Sequence, residues 1–133
     1  MPVVVNGDIL DLATAREALE QSGAAAVMLG RGAQGRPWAV GQIGAGLSGQ
    51  PSQAAPQGRE LTALVAEHYE DMLTEYGIAV GLRAARKHLD WYMQAAGLAL
   101  DKATRNGFLN SETPADVLRQ IENIFSHEQR AAA

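Results

Sequence analysis

Three glycines and two arginines stand close together in residues 30–38, directly after a short apolar run that predicts a buried strand. Glycine lets a backbone approach a ligand closely. The guanidinium group of arginine offers a planar fork of donors that suits the oxygens of a phosphate. The stretch therefore predicts a phosphate-binding turn at the end of a strand, built from Gly30, Arg31, Gly32, Gly35 and Arg36.

A second polar turn, Asn6-Gly7-Asp8, follows the β-branched run 3–5. Between the two runs, residues 12–21 carry apolar side chains at helical spacing, with Asp11 as a predicted N-cap and residues 22–23 as a stop. An uninterrupted β-branched run is typical of a strand covered on both faces, as in a parallel sheet. The βαβ unit would bring both turns to one edge of such a sheet, and phosphate often lies after strands seven and eight of a (β/α)8 barrel.

Two other interpretations of these turns remain open. Glycine can be needed simply for a tight reversal of the chain, without any ligand. Residues 30–35 also match the G-x-G-x-x-G fingerprint of dinucleotide-binding folds, but that fingerprint requires a long helix, a further strand and an acidic residue. Pro37 and a linker follow here instead, so the barrel edge is the better template.

The composition excludes several kinds of chemistry. The 133 residues contain no cysteine, so disulfides, thiolate metal sites and a thiol nucleophile are absent. The formal net charge is −4, so nucleic-acid binding would require a local basic patch. We find no leader-like segment and no apolar run near the roughly 20 residues that span a bilayer. A cytoplasmic location without membrane contact is the expectation, and no metal site is expected.

The Gly-, Pro- and Gln-rich segment 48–58 predicts a linker between two parts of the chain, 1–47 and 59–130. After Trp38 we expect only a brief helical turn, because several glycines follow. The second part is helical, and its first helix carries an apolar stripe ending before Gly77, formed by Leu61, Leu64, Val65, His68, Met72 and Tyr76.

Three further helices complete this second part. One is expected over 80–96, a weaker one over 101–105 before the turn Asn106-Gly107, and a last one from the N-cap Thr113, with a fraying tail at 130–133. Short loops between amphipathic helices predict a small four-helix bundle.

The helix over 80–96 carries the strongest cluster of positive charge. Arg83, Arg86 and Lys87 are spaced to share a face, and Trp91 follows one turn beyond Lys87. That combination suits an RNA backbone with a stacked base. The alternative is that Arg83 and Lys87 pair with Glu67 or Glu70 of the first helix and that Trp91 is part of the core.

The remaining titratable residues give weaker indications of function than the glycine turns and the basic helix. His68, on an apolar stripe, is expected to be a packed core histidine rather than a ligand. Asp8 has no carboxylate or base near it in sequence, so we expect it to orient a ligand rather than to transfer protons. His127 lies near the end of the last helix and carries little information.

Long motifs of the chain resemble a known family in the same order. They are residues 2–9, 22–24 and 27–38, then His68-Tyr69, Tyr76-Gly77 and the helix segment 83–92. Together they resemble the C-terminal part of a bacterial tRNA-dihydrouridine synthase of the B type. The family has an FMN-dependent (β/α)8 barrel followed by a helical tRNA-binding domain, and it reduces uridine in tRNA with NADPH or NADH as the reductant.

The resemblance implies a fold and roles for particular residues. Residues 1–47 would be the βαβα portion of a TIM barrel with strands seven and eight, and 59–130 the helical tRNA-binding domain. The FMN phosphate and ribityl end would be held by Asn6, Gly7, Asp8, Gly30 and Arg31. The residues facing tRNA would be Arg83, Arg86 and Lys87.

The resemblance also implies what these residues lack. The family's proton-donating cysteine and flavin-contacting lysine belong to earlier barrel strands, so we expect no catalytic residue in this chain. Alone it would be inactive and would bind FMN weakly or not at all. Its partners would be tRNA and either the missing barrel part or a domain-swapped copy of itself.

Two other functions remain open. The first is a flavin barrel that acts on a small molecule such as a dihydropyrimidine, with helices that serve only for packing. The second is a non-enzymatic helical interaction module with a vestigial or swapped βαβ piece.

Overall fold

The computed structural model describes residues 1–126. Within them the chain is mostly helical, with six α-helices and one parallel sheet of two strands that does not close into a barrel. The chain divides into two units, Met1–Ala55 and a second that begins at Pro56. The predicted end of the helical part at 130, the predicted fraying tail and His127 lie outside the described residues.

The first unit contains the predicted βαβ unit. Strand β1 is Val4–Asn6, helix α1 is Leu12–Ser22 and strand β2 is Ala26–Met28, and the strands pair in parallel with Val5 opposite Val27. Helix α1 begins as predicted, because the Asp11 side chain accepts a hydrogen bond from the Thr14 backbone N–H at 2.8 Å. It ends at Gly23 in the left-handed conformation, with φ of 65°.

Only one face of the small sheet is covered. Ile9, Ala15 and Ile43 form a buried cluster, and Val27 packs against it. On the opposite face Val4 and Met28 are 57% and 51% exposed. The prediction of a strand covered on both faces is therefore wrong for these residues, because the helices of the unit pack on one side of the sheet only.

The segment after β2 forms a short 3-10 turn, Arg31–Ala33, and then helix α2, Trp38–Leu47. The expected brief turn is thus a helix of 10 residues. Burial of Ala39 and Ile43 stabilises it despite its glycines. At Gly46 a Cβ atom would lie 2.6 Å from Leu12 Cδ2, so the missing side chain lets α1 approach closely.

The second unit consists of four helices within the described residues. They are α3 (Gly58–Tyr76), α4 (Ile78–Ala95), α5 (Lys102–Asn110) and α6 (Pro114–Ser126). Helix α3 packs against α4 and α6, and α5 contacts both of those helices. The largest fully buried side chains of the described residues are those of Val65, Tyr69, Phe108, Val117, Ile121 and Phe125.

The apolar stripe on α3 differs from the predicted one. Tyr69 is buried and His68 is only half-buried, while Tyr76 is 56% exposed. Two neighbouring helices pack against α3, so its buried face is wider than one stripe and also includes Thr62. Tyr76 is the last residue of the helix, where fewer neighbours cover a side chain.

Helix α5 is longer than predicted and passes through Asn106-Gly107, which was expected to be a turn. Phe108 is fully buried, which favours continuing the helix, and the Asn110 side-chain amide donates to the Asn106 carbonyl at 3.0 Å. The helix begins at Asp101, whose side chain accepts from the Thr104 N–H at 3.0 Å. No helix in 1–126 is long and apolar enough to cross a bilayer.

Candidate functional site

The two glycine turns meet at the carboxyl ends of β1 and β2. There they enclose an open cleft of about 310 Å³, lined by Asn6, Gly7, Asp8, Ile9, Gly30, Arg31 and Gly32. All five residues predicted at the phosphate end of the cofactor site are among them. Ile9 and Gly32 were not among those five, although Gly32 belongs to the same run of glycines.

Asp8 and Arg31 form an ion pair across this cleft. The Arg31 guanidinium donates to the Asp8 carboxylate at 2.5 Å, and the side chains of Arg31 and Asp8 are 79% and 77% exposed. Asp8 has a φ of 39°, a left-handed conformation that aspartate tolerates better than most residues. Because an exposed pair contributes little stability, we interpret the pair as orienting Arg31 toward the cleft.

Gly32 and Arg36 fix the backbone of the second turn. A Cβ atom on Gly32 would lie 2.2 Å from the Ile9 carbonyl oxygen, so only glycine fits against that backbone. The Arg36 guanidinium donates to the Leu10 carbonyl at 2.9 Å and to the Gly32 carbonyl at 3.2 Å. Of the two arginines in the predicted phosphate turn, Arg31 therefore lines the cleft, whereas Arg36 holds the backbone.

In the second unit, the basic residues of α4 differ in exposure. Arg83 and Lys87 are exposed, and within 1–126 neither forms an ion pair with Glu67 or Glu70. Arg86 is half-buried, and its Nε atom is buried without a hydrogen-bond partner in the described part of the chain. Arg83 and Lys87 are thus the cations of this cluster that are open to a ligand.

A group of aromatic rings connects α3 and α4. The Nδ1 atom of His68 lies 2.9 Å from the Tyr92 hydroxyl, and the choice of donor depends on the histidine tautomer. The His68 and His88 rings are 4.9 Å apart in an edge-to-face arrangement. The Trp91 ring lies 5.1 Å from His88 and is half-buried. His68 is therefore half-buried in a polar contact, and its prediction as a packed core residue is wrong.

Burial changes the titration of these rings. Desolvation lowers the pKa of His68, although the nearby Asp71 carboxylate acts in the opposite direction. Desolvation also lowers the pKa of His88, and repulsion by His68 adds to the effect. Burial raises the pKa of Tyr92 to about 12. At neutral pH the cluster is therefore uncharged.

A groove of about 280 Å³ opens beside this cluster. We call it the α3–α4 groove, and it is lined by His68, Met72, Tyr76, Val80, Ala84 and His88. The residues on each helix are spaced by four, which places them in one row, and this spacing is the only signal of the groove in the sequence. Within 1–126 no three histidine, aspartate or glutamate side chains are grouped so that they could hold a metal ion.

Comparison with known proteins places these features in context. Residues 1–130 match the family described as Dihydrouridine synthase (Dus). The chain is 50% identical over 131 residues to a "Probable tRNA-dihydrouridine synthase" of Rhodobacter capsulatus, covering 98% of this chain and 39% of that protein. For a protein of the same name from Rickettsia conorii, the identity is 40% over 126 residues, with 95% and 38% covered.

A third relative is "tRNA-dihydrouridine synthase B" of Escherichia coli. It is 38% identical over 128 residues, which cover 96% of this chain and 39% of the relative. The chain therefore spans about two fifths of the length of these curated relatives.

Proposed function

This chain belongs to the dihydrouridine synthase family, and from that premise we propose that it forms part of an enzyme that reduces uridine to 5,6-dihydrouridine in tRNA. In this proposal, the first unit supplies part of an FMN phosphate site and the second unit binds tRNA. The observation that carries it is the meeting of both glycine turns and Arg31 in one cleft. A cytoplasmic location belongs to the same proposal.

The small sheet would be part of a (β/α)8 barrel, with β1 and β2 as strands seven and eight. The parallel pairing and the α1 crossover are the repeating unit of such a barrel. Barrel strands bury one face against helices and the other in the interior of the barrel. The exposed face that carries Val4 and Met28 would be the interior one, covered by side chains of the other strands.

The residues at the cleft fit a phosphate group. A Cβ atom at Gly7 or Gly30 would meet nothing within 4 Å, so the glycines leave the cleft open. Arg31 would donate to phosphate oxygens, and Asp8 would hold its guanidinium in place while Asn6 offers an amide. When bound, FMN would supply the hydride chemistry, with NADPH or NADH as the reductant.

We place no catalytic residue in this chain. It has no cysteine to serve as a proton donor, and the cleft side chains are suited to binding and orientation. The purified 133-residue polypeptide is therefore expected to bind FMN weakly or not at all and to leave uridine unreduced. Stoichiometric flavin absorbance together with dihydrouridine formation would contradict this assignment.

Binding of tRNA is assigned to the basic face of α4. Arg83 and Lys87 are exposed and carry no ion pair within 1–126, so contact with phosphate would break no existing interaction. Arg86 would contribute less, because its side chain is already half-buried.

The test measures binding of unmodified tRNA to the 133-residue chain at several salt concentrations. The variants Arg83→Gln and Lys87→Gln should each weaken binding and reduce the slope of log affinity against log salt by about 0.7–0.9. Arg119→Gln is the matched control, because Arg119 is exposed on α6 but already paired with Asp116.

Equal slopes for all three variants would overturn the tRNA assignment. In that case the helices would serve only for packing, as in a flavin enzyme that acts on a small molecule.

A further inference from the structure

The α3–α4 groove has an unusual lining for an open surface feature. Three of its six residues carry flat rings, namely His68, Tyr76 and His88. At its mouth Tyr76 is 56% exposed and Val80 is 47% exposed. An open site that combines rings with aliphatic side chains suits a flat, partly polar ligand.

The two histidines suit such a ligand because they are neutral. Burial lowers the pKa of both His68 and His88, so near pH 7 neither adds a charge to the groove. A neutral imidazole has one donor and one acceptor nitrogen and can also stack through its face. Since the Nδ1 atom of His68 is taken by Tyr92, its other nitrogen is the one left for a ligand.

The charges beside the groove are asymmetric. On α4, Arg83 follows Val80 by three residues and Lys87 follows Ala84 by three, so helical spacing places both cations along the α4 rim. The corresponding positions on the α3 rim are the carboxylates Asp71 and Glu75. A ligand with phosphates would therefore run along the α4 rim, and a flat group with amino or imino donors would face α3.

From this geometry we propose that the α3–α4 groove receives one unstacked base of a bound RNA strand, with Arg83 and Lys87 engaging the adjoining phosphates. The inference rests on the proposed function, because it specifies how the α4 face would bind RNA. Base stacking on rings beside a basic track is a general mode of single-strand recognition. The groove would thus prefer looped or single-stranded RNA to a regular duplex, whose bases are already stacked.

The test compares two fluorescent strands of equal length in an anisotropy assay with the 133-residue chain. One is an oligouridylate of about twelve nucleotides, and the other has the same ribose-phosphate backbone without bases. The chain should bind the base-bearing strand about fivefold or more tightly, which corresponds to one stacking contact. Equal affinities for the two strands would overturn the proposal.

Filling the groove should abolish this preference. Ala84→Leu places a larger side chain among the lining residues, and the two strands should then bind alike. Ala63→Leu is the matched control, because Ala63 is exposed on α3 and is not among the lining residues. Circular dichroism checks that both variants keep their helices. If Ala84→Leu keeps the full preference, the groove is not the base site.

The charge variants separate this inference from the proposed function. The double variant Arg83→Gln with Lys87→Gln should weaken the binding of both strands by the same factor and leave the preference for the base-bearing strand intact. If the chain prefers the base-bearing strand and Ala84→Leu removes that preference, the base site is supported. If folded tRNA nevertheless fails to bind, only the proposed function is overturned. If the chain shows no preference for the base-bearing strand and instead forms dimers that Ala84→Leu dissociates, the groove is an interface between copies of the chain. That outcome would overturn the inference.

Discussion

The close approach of α3 and α4 depends on Gly81, which is buried at their contact. A Cβ atom at this position would lie 2.8 Å from the Leu73 Cα atom and 2.8 Å from the Met72 carbonyl oxygen. Both are backbone atoms, so no side chain can rotate away to make room. Gly81→Ala should therefore push the helices apart beside the α3–α4 groove.

Glycine-to-alanine substitution should change the free energy of unfolding in opposite directions at two glycines of the second unit. Replacing glycine with alanine inside a helix gains up to about 1 kcal/mol from backbone propensity, and overpacking costs about 1–3 kcal/mol. Gly107 lies within α5, and a Cβ atom there would meet nothing within 4 Å. Gly107→Ala should therefore stabilise the unit by about 0.5–1 kcal/mol, whereas Gly81→Ala should destabilise it.

Urea unfolding measures this difference. In a Trp38→Phe background the remaining tryptophan, Trp91, lies on α4 and reports on the second unit alone. With a slope of about 1–3 kcal/mol per molar urea, the midpoints of the two variants should differ by roughly 1 M, with Gly81→Ala lower than the parent. If Gly81→Ala raised the midpoint as much as Gly107→Ala does, the close-approach explanation would be refuted.

Three further predictions concern the same unit. Phe108→Ala should lower its free energy of unfolding by about 3–5 kcal/mol, because Phe108 is fully buried, and urea midpoints measure the loss. Asp101→Ala should lower the total helix content seen by circular dichroism through loss of the N-cap of α5, whereas Asp101→Asn should retain it, since asparagine also caps helices. Because the pKa values of His68 and His88 are lowered on folding, the unfolded chain takes up protons first, so stability should fall as pH drops below the ordinary value of 6.5. Replacing both histidines with glutamine should flatten the urea midpoint measured between about pH 7.5 and 5.5.

Local signals predicted the ends of several elements. Asp11 caps α1, Gly23 ends it, and α6 begins at Pro114 as expected. Predictions based on turn residues alone failed where burial outweighed them. Helix α5 continues through Asn106-Gly107, because Phe108 is buried against neighbouring helices.

The sequence by itself determined the chemistry available to this protein. It excluded thiol chemistry, predicted two polar glycine turns after parallel strands, and located the densest cluster of positive charge on one helix. These properties depend on residue type and near-neighbour spacing, which can be read without knowing the packing.

Only the tertiary structure decided how that chemistry is distributed. Arg31 lies at the cleft and pairs with Asp8, whereas Arg36 donates to backbone carbonyls. The sequence does not distinguish the two arginines, because they lie in the same turn. The tertiary structure also brought His68 and His88 from different helices into one groove. Such contacts depend on the packing between distant segments, and local spacing contains no information about which side chains that packing leaves open to a ligand.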